Sequence, residues 1–339
     1  MVIDANVYWL PDEFFKGDLL EHFLACINAH PDTHAVSEES AEGVKIVIEK
    51  PRGCAGLDFF QADYQLEKQF ADFEKAGVDQ AILKLPGCQE WLDLDLCKIY
   101  NRAVAKVVKE SAGRLIGLAA VPVDGSAESL AELEYAAGEL GLKGVQVSAH
   151  YDEGYLDQPY YRPFFKKAAE LDLPVYVHHT PVPLEYEAIK DYDNLRRSYG
   201  RCADQIIAVS REVYSDLFAE FPNLHLIHSM LGGGYFTYKS MLLPRDSGGG
   251  RFDTNNGAVK ERLEQNIAYE LSHAQPWGED NLVLAAKILG AGNLIYGSSY
   301  PVKSSWLLGG PAMVKGLSLP DADKEAILAG NARRWYKLD

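Results

Sequence analysis

Residues 144–178 read GVQVSAHYDEGYLDQPYYRPFFKKAAELDLPVYVH. A short apolar stretch at 144–148 is followed by a helical pattern at 160–172 and a second apolar stretch at 174–178. A strand, a helix and a strand in this order, with short breaks, are typical of a parallel α/β sheet. This unit predicts that the chain on either side of it is built in the same way.

The same alternation continues in both directions. The helical pattern at 64–76 stops at Gly77 before an apolar strand, and Ser126 is expected to cap a later helix. With an opening strand at 2–6, we count eight strands, at 2–6, 78–85, 115–121, 144–148, 174–178, 224–229, 266–271 and 293–297. Eight parallel strands of this kind close into a barrel, so the sequence predicts an α/β fold, a (β/α)₈ TIM barrel.

Two regions depart from the repeat. Residues 10–63 separate the first two strands and contain Lys45-Ile-Val-Ile-Glu49, which we expect to form a hairpin or insertion over the barrel mouth. The triplets Gly232–Gly234 and Gly248–Gly250 match no phosphate-binding loop and are interpreted as loop or lid segments. No linker divides the chain, so we expect one domain over residues 1–339.

Composition restricts the partners. The formal net charge of −16 would repel nucleic acid and anionic membranes, whereas a small anionic substrate is compatible with a local basic pocket. No apolar segment is long enough for a membrane span, and the N-terminus lacks a signal pattern, so we expect a cytoplasmic protein. The five cysteines include no C-x-x-C pair and are interpreted as reduced and structural.

Several fragments carry a family resemblance. They are Gly141–Ser148 (GLKGVQVS), Leu156–Phe165 (LDQPYYRPFF), Phe221–Leu224 (FPNL), Gly297–Pro301 (GSSYP) and Gly330–Arg333 (GNAR). In this order and spacing the chain resembles the amidohydrolase-related family, which includes aminocarboxymuconate-semialdehyde decarboxylase and γ-resorcylate decarboxylase. The resemblance covers nearly the whole length.

The resemblance implies a metal site whose residues have mostly changed. Active members carry an H-x-H pair ending the first strand, a histidine ending the fifth and an aspartate ending the eighth, with an acid/base histidine ending the sixth. Position by position, these fall on Asn6 and Tyr8, His178, Ser299 and Met230. Only His178 keeps the residue of the family.

This substitution pattern bears on cofactors. Catalytic zinc normally has three protein ligands drawn from His, Cys and carboxylate, and His178 alone cannot hold a divalent ion tightly. We therefore expect no metal and no other cofactor. The alternative is a single Zn or Mn ion near His178, with help from His179, His150 or Asp4.

The site is expected at the C-terminal mouth of the barrel. His178, with a pKa suited to neutral pH, would transfer a proton, while Tyr8, Asn6 and Ser299 would donate hydrogen bonds to a developing oxyanion. Substrate contacts are predicted from Arg52, His150, His179 and Met230. The family resemblance implies the Arg52 contact, because related decarboxylases carry a carboxylate-binding arginine in this segment. His228 is interpreted as a core histidine with satisfied hydrogen bonds.

Three functions are compatible with these residues. The first is a metal-independent hydrolase or decarboxylase of the amidohydrolase type, acting on a small carboxylated, aromatic or lactone substrate. The second is a non-catalytic barrel that binds a ligand or supports an active paralogous subunit. The third is a metal-dependent hydrolase with unusual ligands. As partners we expect a second copy of the chain, in a homodimer, or a paralogous subunit.

Overall fold

A computed structural model describes residues 1–41, 43–180, 183–243 and 256–338. Eight strand positions succeed one another along the chain, each paired in parallel with the next. They are β1 Ile3–Tyr8, β2 Gln80–Lys84, β3 (two segments, Leu115–Gly117 and Ala119–Ala120), β4 Val145–Ser148, β5 Val175–His178, β6 Leu226–His228, β7 Ile267–Glu270 and β8 Leu294–Ile295. The predicted order of strands is therefore confirmed.

Backbone hydrogen bonds join the last strand position to the first. Ala5 N–H donates to the Tyr296 carbonyl at 3.0 Å, and Tyr8 N–H donates to the Tyr300 carbonyl at 2.7 Å. The two segments of β3 are bridged by Leu118 N–H, which donates to the Leu83 carbonyl of β2. The α/β barrel predicted from the sequence is confirmed.

Helices follow the strands as the apolar periodicity predicts. Gly77 ends the helix before β2 in a left-handed conformation (φ 68°), which glycine adopts without strain. Ser126 caps its helix by accepting a hydrogen bond from Ser129 N–H, as predicted. The main helices are α1 Gly17–Asn28, α2 Leu66–Ala76, α3 Leu94–Glu110, α4 Ala127–Gly138, α5 Arg162–Glu170, α6 Gly200–Tyr214, α7 Asn256–Asn266, α8 Glu279–Ala285, α9 Ser304–Gly316, α10 Asp321–Glu325 and α11 Asn331–Trp335.

The segment between β1 and β2 folds into helix α1 and a small antiparallel sheet. The sheet strands are His34–Ser40, Gly43–Glu49 and Phe59–Phe60. Phe23 of α1 stacks on Phe59, with ring centroids 6.4 Å apart, and both rings are buried. The apolar strand was expected from the sequence, whereas helix α1 was not.

Gly232–Gly234 turn through left-handed backbone after β6, while Gly248–Gly250 lie outside the described residues. Within the described ranges, each helix is too short or too polar to cross a bilayer.

Candidate functional site

A pocket opens at the C-terminal ends of the strands. Tyr8 at the end of β1, His178 at the end of β5 and Ser299 after β8 all line it. The insertion between β1 and β2 forms part of its wall, and the start of α6 forms another part. Described residues around the pocket also include Ile48, Lys50, Ala55–Leu57, Phe59, Trp91, His179, Arg196, Arg197, Arg201, His273 and Trp306.

Tyr8 and His178 form a hydrogen-bonded pair in this pocket. The Tyr8 hydroxyl lies 2.9 Å from His178 Nε2, and His178 Nδ1 lies 2.6 Å from the His179 carbonyl. Since a carbonyl only accepts hydrogen bonds, Nδ1 carries the proton and Nε2 accepts from the Tyr8 hydroxyl.

Burial, assisted by the charge of Lys84, holds the pKa of His178 well below its usual range. The expectation of a pKa suited to neutral pH therefore needs correction, because the imidazole is neutral at pH 7 in the free protein. Burial also raises the pKa of Tyr8, so its phenol stays protonated and available as a donor.

Asn6 lies beneath the pocket and is fully buried. Its amide Nδ2 donates to Glu270 Oε2 at 3.0 Å and to Ser299 Oγ at 3.1 Å. Glu270 Oε2 also accepts a hydrogen bond from the Tyr176 hydroxyl at 2.7 Å. Asn6 thus belongs to a hydrogen-bonded network below the pocket rather than to its exposed lining; we call Asn6, Glu270 and Ser299 the floor.

The floor depends on a glycine. A Cβ at Gly297 would lie 1.9 Å from Glu270 Oε1 and 2.7 Å from the Asn6 Cβ. Only a residue without a side chain allows the carboxylate and amide to approach this strand so closely.

Left-handed backbone recurs where strands end around the pocket. Met230, Ser272 and Ser299 have φ values of 55°, 60° and 55°. Such conformations are uncommon outside glycine and cluster at functional sites. Ser272 connects two of these turns, because its Oγ accepts from Met230 N–H at 2.9 Å and its carbonyl accepts from Ser299 Oγ at 2.9 Å.

Three arginines differ in their partners: Arg196 and Arg197 in the turn before α6, and Arg201 in its first turn. Arg196 has a structural role, because its guanidinium donates hydrogen bonds to the carbonyls of Lys50 and Ala55. Arg197 and Arg201 have no hydrogen bond or ion pair with the part of the chain that the structure describes. Burial lowers the pKa of Arg201 to about 10, so it remains charged at neutral pH.

Sequence reasoning missed these arginines. The signal available was Arg196-Arg-Ser-Tyr-Gly-Arg201, a basic cluster in a chain of net charge −16, placed shortly after the fifth strand. We call Arg197 and Arg201 the arginine wall.

The structure brings His179 into the pocket but not the other predicted substrate contacts. Arg52 donates to the Thr33 carbonyl at 3.2 Å on another side of the insertion. His150 is held by Asp204, with Nδ1 2.7 Å from Oδ1, and borders a second cavity.

Met230 lines a third cavity, which it shares with Arg197 and Arg201. His228 is fully buried between Gln205 Oε1 and Glu212 Oε2, at 2.8 and 2.6 Å, which confirms its interpretation as a core histidine.

Residues 89–338 match the amidohydrolase family, which confirms the resemblance. Among characterised relatives, 2-amino-3-carboxymuconate-6-semialdehyde decarboxylase of Dictyostelium discoideum is 26% identical over 73% of this chain and 67% of its own length. γ-Resorcylate decarboxylase of Rhizobium sp. (strain MTP-10005) is 24% identical over 78% of this chain and 84% of its own.

Among solved structures, a dihydroxybenzoic acid decarboxylase from Polaromonas sp. JS666 superposes with a TM-score of 0.74 at 18% identity, covering 99% of this chain and 97% of that one. That structure holds manganese and the inhibitor 2-nitroresorcinol. The expectation of a metal-independent enzyme without a cofactor is wrong on this comparison, because a decarboxylase of the same fold binds a metal ion.

The donors that replace the family's ligands are few. His178 Nε2 is engaged by Tyr8, and the Asn6 amide contributes one buried oxygen, Oδ1, that lacks a hydrogen-bond partner. Among the described residues, no three His, Cys, Asp or Glu donors converge at the barrel mouth. Asp4 Oδ2 is likewise buried without a hydrogen-bond partner, and burial raises the pKa of this carboxyl to about 7. Of these three donors only His178 and Asp4 are of the types usual for a catalytic zinc ion, which takes three such protein ligands. The described residues as arranged therefore do not fit a catalytic ion of this kind.

Proposed function

The chain belongs to the amidohydrolase family, and on that premise we propose that it is a decarboxylase of small aromatic or similarly unsaturated carboxylates. The observation that carries this proposal is the pair of unpartnered, positively charged side chains of the arginine wall, which share one pocket with Tyr8 and His178. The names of the decarboxylase relatives favour carbon dioxide release over hydrolysis, the alternative reaction.

The arginine wall supplies charge and shape for an anionic ring. Guanidinium groups match carboxylates and other oxyanions in planar, two-point hydrogen bonds. Trp91, Trp306 and Phe59 supply apolar surfaces on which a flat ring can pack. The net charge of the whole chain does not oppose this, because the positive groups lie in the pocket itself.

The arginines are suited to an oxygen substituent that remains on the product. Stabilising the departing carboxylate in the ground state would raise the barrier to its loss. We therefore assign Arg197 and Arg201 to a phenolate or second carboxylate. This assignment predicts a preference for substrates that carry such a group besides the leaving carboxylate.

Loss of carbon dioxide leaves an electron pair on the ring carbon, and a proton must reach that carbon. His178 is neutral in the free protein, but a bound anion favours the protonated imidazole by its charge. His178 Nδ1 is held by the His179 carbonyl and Nε2 faces the Tyr8 hydroxyl. A proton taken up at Nε2 can therefore pass to the Tyr8 oxygen while the Tyr8 hydroxyl gives its own proton to the ring carbon. Proton transfer through Tyr8 alone is disfavoured by its raised pKa.

Turnover of a panel of hydroxybenzoates and carboxymuconate-like acids, including γ-resorcylate, tests the proposal. Carbon dioxide release would be measured with the purified full chain, with and without added Mn²⁺. Release that disappears in His178→Gln supports the proposal. Binding of these acids without any turnover, in either condition, contradicts it.

A non-catalytic ligand-binding barrel is the second candidate. The substitution of the family's ligands by Asn6, Tyr8 and Ser299 favours it, since the floor now consists of hydrogen bonds among neutral groups and one carboxylate. The same panel separates the two, because this candidate predicts binding that depends on Arg201 without carbon dioxide release. Assembly as a homodimer or with a paralogous subunit stays a prediction.

A further inference from the structure

We propose that His22, Cys26 and Asp93 form a binding site for a thiolate-preferring divalent cation, with Zn²⁺ as its natural occupant. The site lies outside the barrel pocket, where helix α1 of the insertion meets the beginning of α3. It is independent of the proposed decarboxylase activity.

The three donors converge from two elements. His22 and Cys26 are four residues apart on α1, so their side chains emerge on the same face of the helix. His22 Nε2 lies 2.7 Å from Asp93 Oδ2, and Cys26 Sγ lies 3.6 Å from the same oxygen. Across the described ranges, this is the one group of three His, Cys, Asp or Glu side chains whose donor atoms all lie within 4.8 Å of one another.

Asp93 is oriented by the backbone. Its Oδ1 caps α3 by accepting a hydrogen bond from Leu96 N–H at 2.9 Å. This bond fixes the plane of the carboxylate and leaves Oδ2 directed towards His22 and Cys26. A ligand held by a second hydrogen bond loses less freedom when it binds a metal.

The donor set has a chemical preference. Imidazole, thiolate and carboxylate are the ligands of zinc sites, and three of them leave a fourth position for water. A thiolate selects zinc or cobalt over manganese and magnesium, so this site would differ in preference from a manganese site. His22 and Asp93 are 39% and 46% exposed, so an ion can enter from solvent.

Binding requires only a small rearrangement. Zinc–ligand bonds of about 2.0–2.3 Å place neighbouring donors roughly 3.3–3.8 Å apart. The Cys26–Asp93 distance of 3.6 Å already falls in this range, while the His22–Asp93 distance of 2.7 Å would increase by about 0.6 Å. On binding, the Cys26 thiol would release its proton to solvent and coordinate as thiolate.

The alternative is that His22 and Asp93 only fasten α1 to the barrel through a hydrogen bond, with Cys26 a bystander. Titration with Co²⁺ distinguishes a metal site from a simple hydrogen bond, because a Co²⁺–thiolate bond gives a near-ultraviolet charge-transfer band. None of the described residues lining the barrel pocket is cysteine, so a band would not arise there.

The experiment uses the full chain after treatment with chelator and titrates it with Co²⁺ alone. We expect the band to saturate at one Co²⁺ per chain and to be displaced by Zn²⁺. Cys26→Ser should abolish it. His22→Gln and Asp93→Asn should weaken Co²⁺ binding at least tenfold, and asparagine preserves the helix cap. Cys54→Ser, at another partly buried cysteine of the insertion, is the control and should leave the band unchanged.

A second measurement does not depend on colour. Zn²⁺ should raise the Tm of the wild type, because a ligand that binds the folded state stabilises it, and should not raise that of Cys26→Ser. Absence of a band in folded wild-type protein, or a band that survives in Cys26→Ser, would overturn the proposal.

Discussion

The floor and the arginine wall of the barrel pocket differ in how far their polar groups are satisfied. In the floor, Asn6 donates to both Glu270 and Ser299 within 3.1 Å. In the wall, the guanidinium groups of Arg197 and Arg201 lack a partner among the described residues. Both arginines are half-buried, and a partly desolvated charge gains from pairing, so the anionic substrate proposed above would complete the wall.

This difference assigns separate tasks to two parts of one pocket. Asn6 and Ser299 of the floor stand where the family resemblance implies metal ligands, and the floor holds them in hydrogen bonds. In the proposed function, the wall binds an anion. Tyr8 and His178 share the pocket with Ser299 of the floor and with both arginines of the wall. Substitutions at these two residues are therefore expected to have the largest effect on turnover.

The largest expected effect is therefore on turnover at His178. His178→Gln keeps a polar group for Tyr8 but removes proton transfer, and we expect kcat to fall by about 10²–10⁴-fold. The measurement is initial rate on whichever acid the substrate panel identifies. His225→Gln is the control, since His225 packs on Trp335 at the other end of the barrel and its loss should leave kcat near wild type. An unchanged kcat in His178→Gln would remove proton transfer from this residue.

The next effect tests the wall by ligand affinity. Arg201→Met keeps the apolar length of the side chain and deletes its charge, so we expect Kd for an aromatic carboxylate to rise about 10–100-fold. A charged hydrogen bond contributes about 1.5–3 kcal/mol, which corresponds to this range. Calorimetry with the wild type, Arg201→Met and Arg52→Met decides between the two arginines. Weakening by Arg52→Met alone would restore the assignment made from the sequence.

The contrast between floor and wall also separates what the sequence could predict from what it could not. The barrel was predictable because each strand is a short apolar run between helical patterns, and Tyr8, His178 and Ser299 follow from their places at strand ends. The wall was not, because Arg201 lies in the first turn of α6 and not at the end of a strand. Its role depends on the absence of a partner, which no sequence pattern reports.

The misplaced contacts have physical reasons of the same kind. Met230 follows β6 as expected, but the backbone is left-handed at Met230 and Leu231, and Met230 lines a neighbouring cavity that it shares with the arginine wall. His150 lies just past β4 as expected, but the buried carboxylate of Asp204 holds it away from the pocket. Strand periodicity gives the end at which a residue lies, and local turns and pairings decide which cavity it faces.

A third prediction tests whether the floor is as tightly packed as its hydrogen bonds imply. Gly297→Ala places a methyl group against Glu270 and Asn6, and overpacking of this kind costs about 1–3 kcal/mol or more. Urea unfolding followed by circular dichroism measures the change in the free energy of unfolding. Gly138→Ala is the matched control, because nothing lies within 4 Å of its Cβ position at the end of α4. If both substitutions change the free energy of unfolding equally, the floor accommodates an added methyl group and is not tightly packed.

The smallest effect expected is a pH dependence of stability that originates on the wall side of the pocket. His273 stacks on Trp306, with ring centroids 4.3 Å apart, and burial lowers the pKa of His273 to about 4. An unfolded histidine titrates near pH 6.5, so between about pH 6.5 and 4 the unfolded chain binds a proton that the folded chain excludes. Stability is therefore lost as pH falls through this interval, by at most about 1.4 kcal/mol per pH unit for this residue.

His273→Gln removes that proton-binding difference. We expect the gap in the free energy of unfolding between wild type and variant to be constant from pH 7 to 8. Between pH 6.5 and 5 it should shift in favour of the variant by about 1–2 kcal/mol. The variant should keep some acid sensitivity, because burial also lowers the pKa values of His178 and His179. If the free energies of unfolding of wild type and variant differ by the same amount at every pH, the pKa of His273 is not lowered in the folded protein. Water would then reach His273, and the wall would be more hydrated than we propose.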